Sequence, residues 1–297
     1  MIFVSFTFYR MTSVLIRKNA MKVRILTGLC LAAVSIPILI FSQYIVYPIF
    51  LSLLCFIATY EMVRVFKKEK CYEILVPSLI LSLAYPLVPY FVIGAAHPER
   101  GVLFLVFGIF IYMFYLFTVG VAYKGKMPLA EIFSVFTMES YIWFAFAALC
   151  FLRYLPYGLF QFLLVFVTAW GCDILAYFVG TFIGKHKLIV EVSPKKTVEG
   201  SIGGIVGTLA LVMLYGFLVE RFTDAEANYI VLAVLGLVLP VISQVGDLIA
   251  SLVKRESGIK DYGKIFPGHG GVMDRFDSIL AVSVAMLIVS MVMPPFH

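Results

Sequence analysis

Acidic, basic and glycine residues alternate in one polar stretch near the end of the chain, residues 251–277. Asp247 precedes this stretch, and Asp274 and Asp277 close it at i,i+3 spacing, with apolar sequence on either side. If the flanking segments are consecutive helices, their carboxylates meet at one end of the pair. Such carboxylates suit a hard cation such as Mg²⁺, which takes one or two of them together with phosphate oxygens. Helix capping is the alternative role for Asp274 and Asp277.

Donors suited to phosphate lie between these carboxylates: Lys254, Arg255, Lys260 and Lys264. The run 267–271, Pro-Gly-His-Gly-Gly, has so little side chain that its backbone N–H groups could approach an anion closely. It leads into the last apolar segment, whose helix N-terminus is itself an anion site. The stretch therefore predicts a metal–polyphosphate site, with a loop hydrogen bond as the alternative role for His269.

A second polar stretch, residues 193–204, combines Lys195 and Lys196 with several glycines. Both lysines could hold phosphate, and Thr197 could cap the helix that follows. Upstream, Asp173 lies within an apolar segment, where a carboxylate is costly and is a functional candidate by default. For Glu61 and Glu139, also in or near apolar segments, a structural pairing and a functional role both stay open.

The elements that position these residues are predicted to be membrane helices. The 297 residues are 62% hydrophobic and only 13% charged, whereas a soluble domain is about 45–50% apolar and about 25% charged. The net charge of +6 is assigned to cytoplasmic loops, not to nucleic-acid binding. None of the five cysteines has metal-ligand spacing, so neither a disulfide nor a zinc site is expected.

The apolar pattern predicts an all-α, polytopic integral membrane helix bundle with about nine transmembrane helices. The first two spans could form one kinked element. The predicted spans are 26–42, 44–63, 74–94, 102–122, 128–151, 157–183, 203–219, 229–252 and 276–294. Three regions follow: an N-terminal cytoplasmic or interfacial segment (1–24), N-terminal transmembrane helices (25–155), and catalytic transmembrane helices with cytoplasmic loops (156–297).

Loop charge predicts the orientation of this bundle. With nine spans, nineteen of the 23 Lys and Arg residues fall on one side and three on the other, with Arg10 in the N-terminal segment. By the positive-inside rule, the N-terminus and both polar stretches then face the cytosol. Residues 1–16 are too short to span a bilayer, and either an interfacial segment or an extension before a later start at Met11 or Met21 explains them.

Three sequence blocks carry a resemblance to a known family. The stretch from Ser251 to Asp277 resembles the motif of phosphatidate cytidylyltransferases, also called CDP-diacylglycerol synthases, at over a dozen positions. Ser193 to Gly200 resembles a second block of that family, and Asp173 to Lys187 a third. The blocks cover roughly the C-terminal two-fifths of the chain, and the N-terminal half is similar only as a hydrophobic bundle.

The resemblance implies the reaction of CTP with phosphatidate to give CDP-diacylglycerol and pyrophosphate. It also implies Mg²⁺ dependence and a homodimer in the inner or plasma membrane. Whether a second cation takes part stays open. Asp247 and Asp274 are the implied metal ligands. The catalytic candidates are Lys254, Arg255, Lys260, Asp261, His269 and Asp277. The substrate-binding candidates are Asp173, Lys195, Lys196, Thr197, Glu199, Ser251, Gly270, Gly271 and Arg275.

Two other functions are compatible with part of this sequence. A CTP-dependent polyprenol or lipid kinase would transfer the γ-phosphate and release CDP, and the dense match of residues 251–277 argues against it. A transporter also carries intramembrane carboxylates. It would seldom carry a loop rich in Lys, Gly and Asp at the membrane surface.

Overall fold

Eight long apolar helices dominate the computed structural model, which describes residue 33 and residues 35–93, 99–124 and 126–297. Each is 20 to 28 residues long and apolar enough to cross a membrane. At a rise of 1.5 Å per residue, about 20 residues match the ~30 Å hydrocarbon core of a bilayer. The protein is therefore an all-α, polytopic membrane protein.

The helices begin and end close to the predicted spans, and eight of the nine spans have a counterpart. The span 26–42 lies partly outside the described residues, and its residues 35–40 are helical. Residues 1–24 lie wholly outside the described residues. The described helices are α1 (Val46–Val65), α2 (Tyr72–Ala84), α3 (Val88–Val92), α4 (Glu99–Ala122), α5 (Leu129–Tyr154), α6 (Gly158–Phe182), α7 (Val198–Phe222), α8 (Tyr229–Glu256) and α9 (Met273–Val292).

One span is interrupted, and one begins five residues earlier than predicted. Helices α2 and α3 form a single span, 72–92, joined by a 3₁₀ turn at Tyr85–Leu87. Pro86 lies in the first turn of the 3₁₀ element and Pro89 in the first turn of α3, positions where a residue without an N–H is tolerated. Helix α7 begins at Val198, five residues before the predicted start, because the Thr197 side chain accepts a hydrogen bond from Gly200 N at 3.1 Å and caps it.

A short hairpin interrupts the helical pattern between α6 and α7. Strands β1 (Lys187–Ile189) and β2 (Ser193–Thr197) run antiparallel, with Lys187 opposite Thr197 and Ile189 opposite Ser193. The sequence analysis did not predict these strands. Their position matters because β2 carries Lys195 and Lys196 and ends at the N-cap of α7.

The helices pack as an N-terminal bundle (α1–α5) and a C-terminal bundle (α6–α9). Helix α5 packs on α9 and, less extensively, on α6, and thereby joins the two. Helices α6 and α7 form the most extensive helix pair. Their close approach depends on Gly200, because a Cβ there would lie 2.7 Å from the Ala176 carbonyl oxygen and 3.0 Å from Gly180 Cα.

Candidate functional site

The loop between α8 and α9, residues 257–272 (the glycine loop), is held by the Asp274 carboxylate. Oδ2 accepts hydrogen bonds from Tyr262 N at 2.7 Å and Gly271 N at 3.0 Å. Oδ1 accepts from Lys254 Nζ, also at 3.0 Å, and the Asp274 side chain is only 4% exposed. Asp274 thus ties two distant points of the loop to the first turn of α9. These backbone contacts are those of a capping carboxylate, and metal binding by Asp274 stays a prediction.

Tyr262 anchors the same loop to α8. Its phenol donates to the Ala250 carbonyl oxygen at 2.8 Å, and Lys254 Nζ lies 5.2 Å from the centre of its ring. Burial, with smaller contributions from Asp277 and Asp274, raises the pKa of Tyr262 well above its usual value, so the phenol remains a donor. Tyr262 was not among the sequence-predicted site residues.

A second carboxylate, from the other bundle, supports the loop where it enters α9. Glu61 of α1 accepts hydrogen bonds from Val272 N at 3.1 Å and Met273 N at 3.0 Å. It is 4% exposed. The first N–H groups of a helix have no partner within the helix, so Glu61 satisfies two of these at α9. Of the two roles left open for Glu61, the structure shows the pairing.

Asp247 of α8 lies among charged side chains from three other elements. Lys196 Nζ is 2.7 Å from its Oδ2, and both side chains are about a quarter exposed. Asp173 of α6 lines the same cavity, and its Oδ2 accepts from Ser278 Oγ of α9 at 3.4 Å. Asp277 of α9 lies beside α8, since a Cβ at Gly246 would lie 3.0 Å from the Asp277 carbonyl oxygen. Asp274 pairs with Lys254, and the joint binding of one metal ion by Asp247 and Asp274 stays a prediction.

The hairpin is fixed to both neighbouring helices. Arg255 Nε donates to the Val192 carbonyl oxygen at 3.3 Å. The Glu199 carboxylate accepts from Lys185 N at 3.1 Å and lies 2.6 Å from His186 Nδ1. Arg255 and Glu199 therefore both form hydrogen bonds with backbone groups of this chain. The catalytic role of Arg255 and the substrate-binding role of Glu199 stay predictions.

A cationic cavity of about 670 Å³ opens beside the glycine loop. Its charged lining residues carry more positive than negative charge. They are Lys195, Lys260, Asp261, Lys264 and Arg275. His269 also lines this cavity, and its buried Nδ1 has no hydrogen-bond partner within the part of the chain that the structure describes. Gly270 closes the wall at φ +85°, a backbone conformation that favours glycine.

A second cavity, of about 450 Å³, lies between α6, α7, α8 and the hairpin. Asp173, Lys196 and Asp247 lie at its polar part, whereas Ala176, Tyr177 and Leu188 give it an apolar wall. Lys195 lines both cavities, so the two adjoin at β2. Thr197 lines the second cavity as well, and Ser251 is buried one turn beyond Asp247 on α8.

Gln244 and Ser201, a hydrogen-bonded pair that lines the second cavity, were not among the sequence-predicted site residues. Gln244 of α8 donates from Nε2 to the Ser201 carbonyl oxygen at 3.1 Å, and Ser201 Oγ donates back to its Oε1. Gln244 lies three residues before Asp247, which places both on one helix face. This spacing is the signal in the sequence that could have identified Gln244. It was overlooked because an uncharged polar side chain in an apolar helix is less conspicuous than a carboxylate.

Fold and site together define a polytopic helical membrane protein with a charged, two-part cavity at one end of its C-terminal bundle. The chain belongs to the cytidylyltransferase family, whose pattern matches residues 22–293. A phosphatidate cytidylyltransferase of Bacillus subtilis (strain 168) is 36% identical over 269 residues, covering 88% of this chain and 94% of that protein. Phosphatidate cytidylyltransferases of Staphylococcus aureus (strain COL) and Staphylococcus epidermidis (strain ATCC 35984) are 34% and 31% identical over 264 and 262 residues. Each alignment covers 88% of this chain and 96% of the relative.

Proposed function

We propose that this protein is a phosphatidate cytidylyltransferase, which converts CTP and phosphatidate to CDP-diacylglycerol and pyrophosphate. The observation that carries the proposal is the pair of adjoining cavities, one cationic and one partly apolar, which share Lys195. A reaction between a water-soluble polyanion and a membrane lipid needs two such compartments in contact. The names of the relatives support the same activity.

The cationic cavity suits the triphosphate of CTP. Lys260, Lys264 and Arg275 supply donors for phosphate oxygens, and hydrogen bonds to charged groups are the stronger class. The backbone of the glycine loop, held by Asp274, lies along the same wall. We assign CTP to this cavity.

The partly apolar cavity suits the headgroup and the first acyl carbons of phosphatidate. Ala176 and Tyr177 of its apolar wall belong to α6, which is long enough to span the membrane, so we propose that a lipid reaches the cavity from that side. Lys187, Lys195 and Lys196 face the phosphate end. A phosphate placed there lies next to the cationic cavity, across Lys195.

The chemical step follows from this placement. An oxygen of the phosphatidate phosphate attacks the α-phosphorus of CTP, the bond from that phosphorus to the bridging oxygen breaks, and pyrophosphate leaves. The attacking phosphate is already anionic at neutral pH, so no strong general base is required, and His269 is assigned to binding. The lysines and Arg275 neutralise charge that accumulates as the two anions meet.

Magnesium is proposed as the cation of the reaction. Asp247 and Asp173 line the second cavity and supply carboxylate oxygens, the ligands that a hard ion prefers. In the described part of the chain, no group of three or more His, Cys, Asp or Glu side chains is arranged to hold an ion by itself. Mg²⁺ needs no such group, because it uses one or two carboxylates and completes its shell with substrate phosphate and water. Bound there, it would supply charge neutralisation for the phosphates, with Asp247 and, as predicted, Asp274 as ligands.

The alternative functions make different products. A lipid kinase would release CDP, and a transporter would release no product. The decisive experiment incubates the purified protein with labelled CTP and phosphatidate and measures pyrophosphate and lipid-linked CMP. We expect the two products to form in equal amounts. Formation of CDP without pyrophosphate would overturn the proposal in favour of the kinase.

We further propose that the N-terminus and both cavities face the cytosol, and that the enzyme is a homodimer in the inner or plasma membrane. Loop charge supports the orientation, and the homodimer is supported by the family resemblance. Cysteines placed at Lys68 and at Lys196 are expected to react with an impermeant reagent from the same face. Labelling from opposite faces would contradict this orientation.

A further inference from the structure

Glu61 of the N-terminal bundle contacts the glycine loop. The carboxylate crosses from the end of α1 to the first turn of α9 and accepts from Val272 N and Met273 N at 3.1 and 3.0 Å. Charge-assisted hydrogen bonds of this kind are about twice as strong as neutral ones. The contact therefore joins the bundle that carries none of the proposed substrate-binding residues to the loop that lines the cationic cavity.

The loop is shaped around this carboxylate. A Cβ at Gly263 or at Gly271 would overlap Glu61 atoms, and for Gly271 the three nearest atoms all belong to Glu61. Gly263 and Gly271 lie on either side of the cavity-lining run Lys264–Gly270. Their lack of side chains is thus explained by the space that Glu61 occupies.

Two carboxylates on different helices, Asp274 of α9 and Glu61 of α1, hold the loop. Asp274 accepts from Gly271 N and Tyr262 N, and Glu61 accepts from the next two backbone N–H groups, those of Val272 and Met273. Both side chains are buried, so neither set of bonds competes freely with water. Removing one carboxylate leaves buried N–H groups without a partner, and the loop must then shift to satisfy them.

We propose that Glu61 is a positioning residue for the nucleotide cavity: it fixes the glycine loop and the start of α9 from the N-terminal bundle without touching substrate. The proposal rests on the function proposed above. It predicts a selective defect. Interactions with CTP and turnover depend on the loop, whereas the phosphatidate cavity is lined by α6, α7, α8 and the hairpin, which Glu61 does not contact.

The test compares Glu61→Gln with a matched control, Glu139→Gln. Glu139 is also a buried glutamate of the N-terminal bundle, but it bonds to Ser78 and Tyr112, away from the loop. In Glu61→Gln one amide N–H₂ group faces a backbone N–H. We expect kcat/KM for CTP to fall about tenfold or more, equivalent to about 1.4 kcal/mol, and KM for phosphatidate to stay within about twofold. We expect the control to keep both constants near wild type.

Amide hydrogen exchange supplies the readout that does not depend on activity. Peptides covering residues 262–273 are expected to exchange faster in Glu61→Gln than in wild type, and to be unchanged in Glu139→Gln. Wild-type exchange and kinetics in Glu61→Gln would overturn the proposal. So would equal increases in KM for CTP and for phosphatidate, because the effect of Glu61 would then not be selective for the nucleotide cavity. If the wild-type protein makes no CDP-diacylglycerol, the proposed function fails, and the exchange result still decides whether Glu61 holds the loop.

A second variant keeps the test decisive if Glu61→Gln is not recovered folded. Gly271→Ala adds a methyl group whose nearest neighbours are all Glu61 atoms, so it displaces the same carboxylate from the loop side. The same faster exchange over residues 262–273 is expected. Wild-type exchange in this variant would contradict the proposal.

Discussion

Two carboxylates in membrane helices, one in each bundle, have opposite surroundings. Glu139 in the N-terminal bundle is fully buried and accepts hydrogen bonds from the hydroxyl groups of Tyr112 and Ser78, the latter at 3.0 Å. Asp247 in the C-terminal bundle is about a quarter exposed, lies 2.7 Å from Lys196 and lines a cavity. The same chemical group is thus sealed among neutral partners in one bundle and placed beside a cation and open space in the other.

The comparison teaches where to look for chemistry in a membrane helix. A carboxylate alone indicates only a costly group that needs partners. A cation within ion-pair distance, together with a cavity of substrate size, identifies the carboxylate that can exchange its partner for a ligand. Lys196 and Asp247 meet both conditions, whereas the described contacts of Glu139 are all within its own bundle.

The largest effect is expected at Asp247. Asp247→Asn keeps the size of the side chain but removes the charge that faces Lys196 and the proposed cation. We expect activity to fall about hundredfold or more, because electrostatic groups at a reacting centre contribute on this scale. Labelled CTP incorporation into lipid measures it, with Glu139→Gln as the matched control. Equal losses in both variants would erase the distinction between the two bundles.

Asp274 sharpens the comparison, because it is buried like Glu139 but paired with a cation like Asp247. Asp274→Asn breaks the buried pair with Lys254, and breaking such a pair costs about 3–5 kcal/mol in general. We expect a loss of activity of about tenfold or more and a flatter rise of melting temperature with Mg²⁺. If the Mg²⁺-dependent rise persists in this variant but not in Asp247→Asn, Asp274 holds the loop and is not a metal ligand.

Lys195 and Lys196 come next in expected size. Replacing both with Ala removes donors from both cavities, and a hydrogen bond to a charged group is worth about 1.5–3 kcal/mol. We therefore expect a loss of roughly tenfold or more in kcat/KM, with folding retained. The matched control is Lys124→Ala with Lys126→Ala, two lysines of a loop in the N-terminal bundle. Wild-type kinetics in the Lys195, Lys196 double variant would return these residues to a role in orientation alone.

Hydrophobic runs predicted the fold well because each membrane helix must be apolar along its own length. Eight predicted spans match helices. The β-hairpin, the one described exception to the all-α fold, was not predicted because its strands are only three and five residues long. Thr197 was predicted to cap the helix that follows, and the structure shows this contact, but the start of the span was placed five residues too late, at residue 203. Hydropathy alone set that start, and it carries no information about a cap made by one hydroxyl group.

The candidate site was predicted in composition more than in pairing. Residue types identified Lys195, Lys260, Arg275 and His269, which line one cavity. The partner of each carboxylate could not be predicted, because one helical turn separates Asp274 from Asp277 and the packing of α9 on α8 decides which of them pairs with Lys254. The contact between Glu61 and α9 joins residues more than 200 positions apart, and no local pattern encodes it.

The smallest expected effect is at Thr197, which has a structural contact and lines the second cavity. Its hydroxyl caps α7 by accepting from Gly200 N, and Thr197→Val keeps the shape while removing that acceptor. Loss of a cap costs about 1 kcal/mol, so we expect the melting temperature in detergent to fall by about 2–4 °C. Thr197→Ser, which keeps the hydroxyl, should melt near wild type, and both variants should keep most of their activity. If Thr197→Val instead loses activity with an unchanged melting temperature, the Thr197 hydroxyl contacts substrate. Thr197 would then belong to the substrate site and not only to the cap of α7.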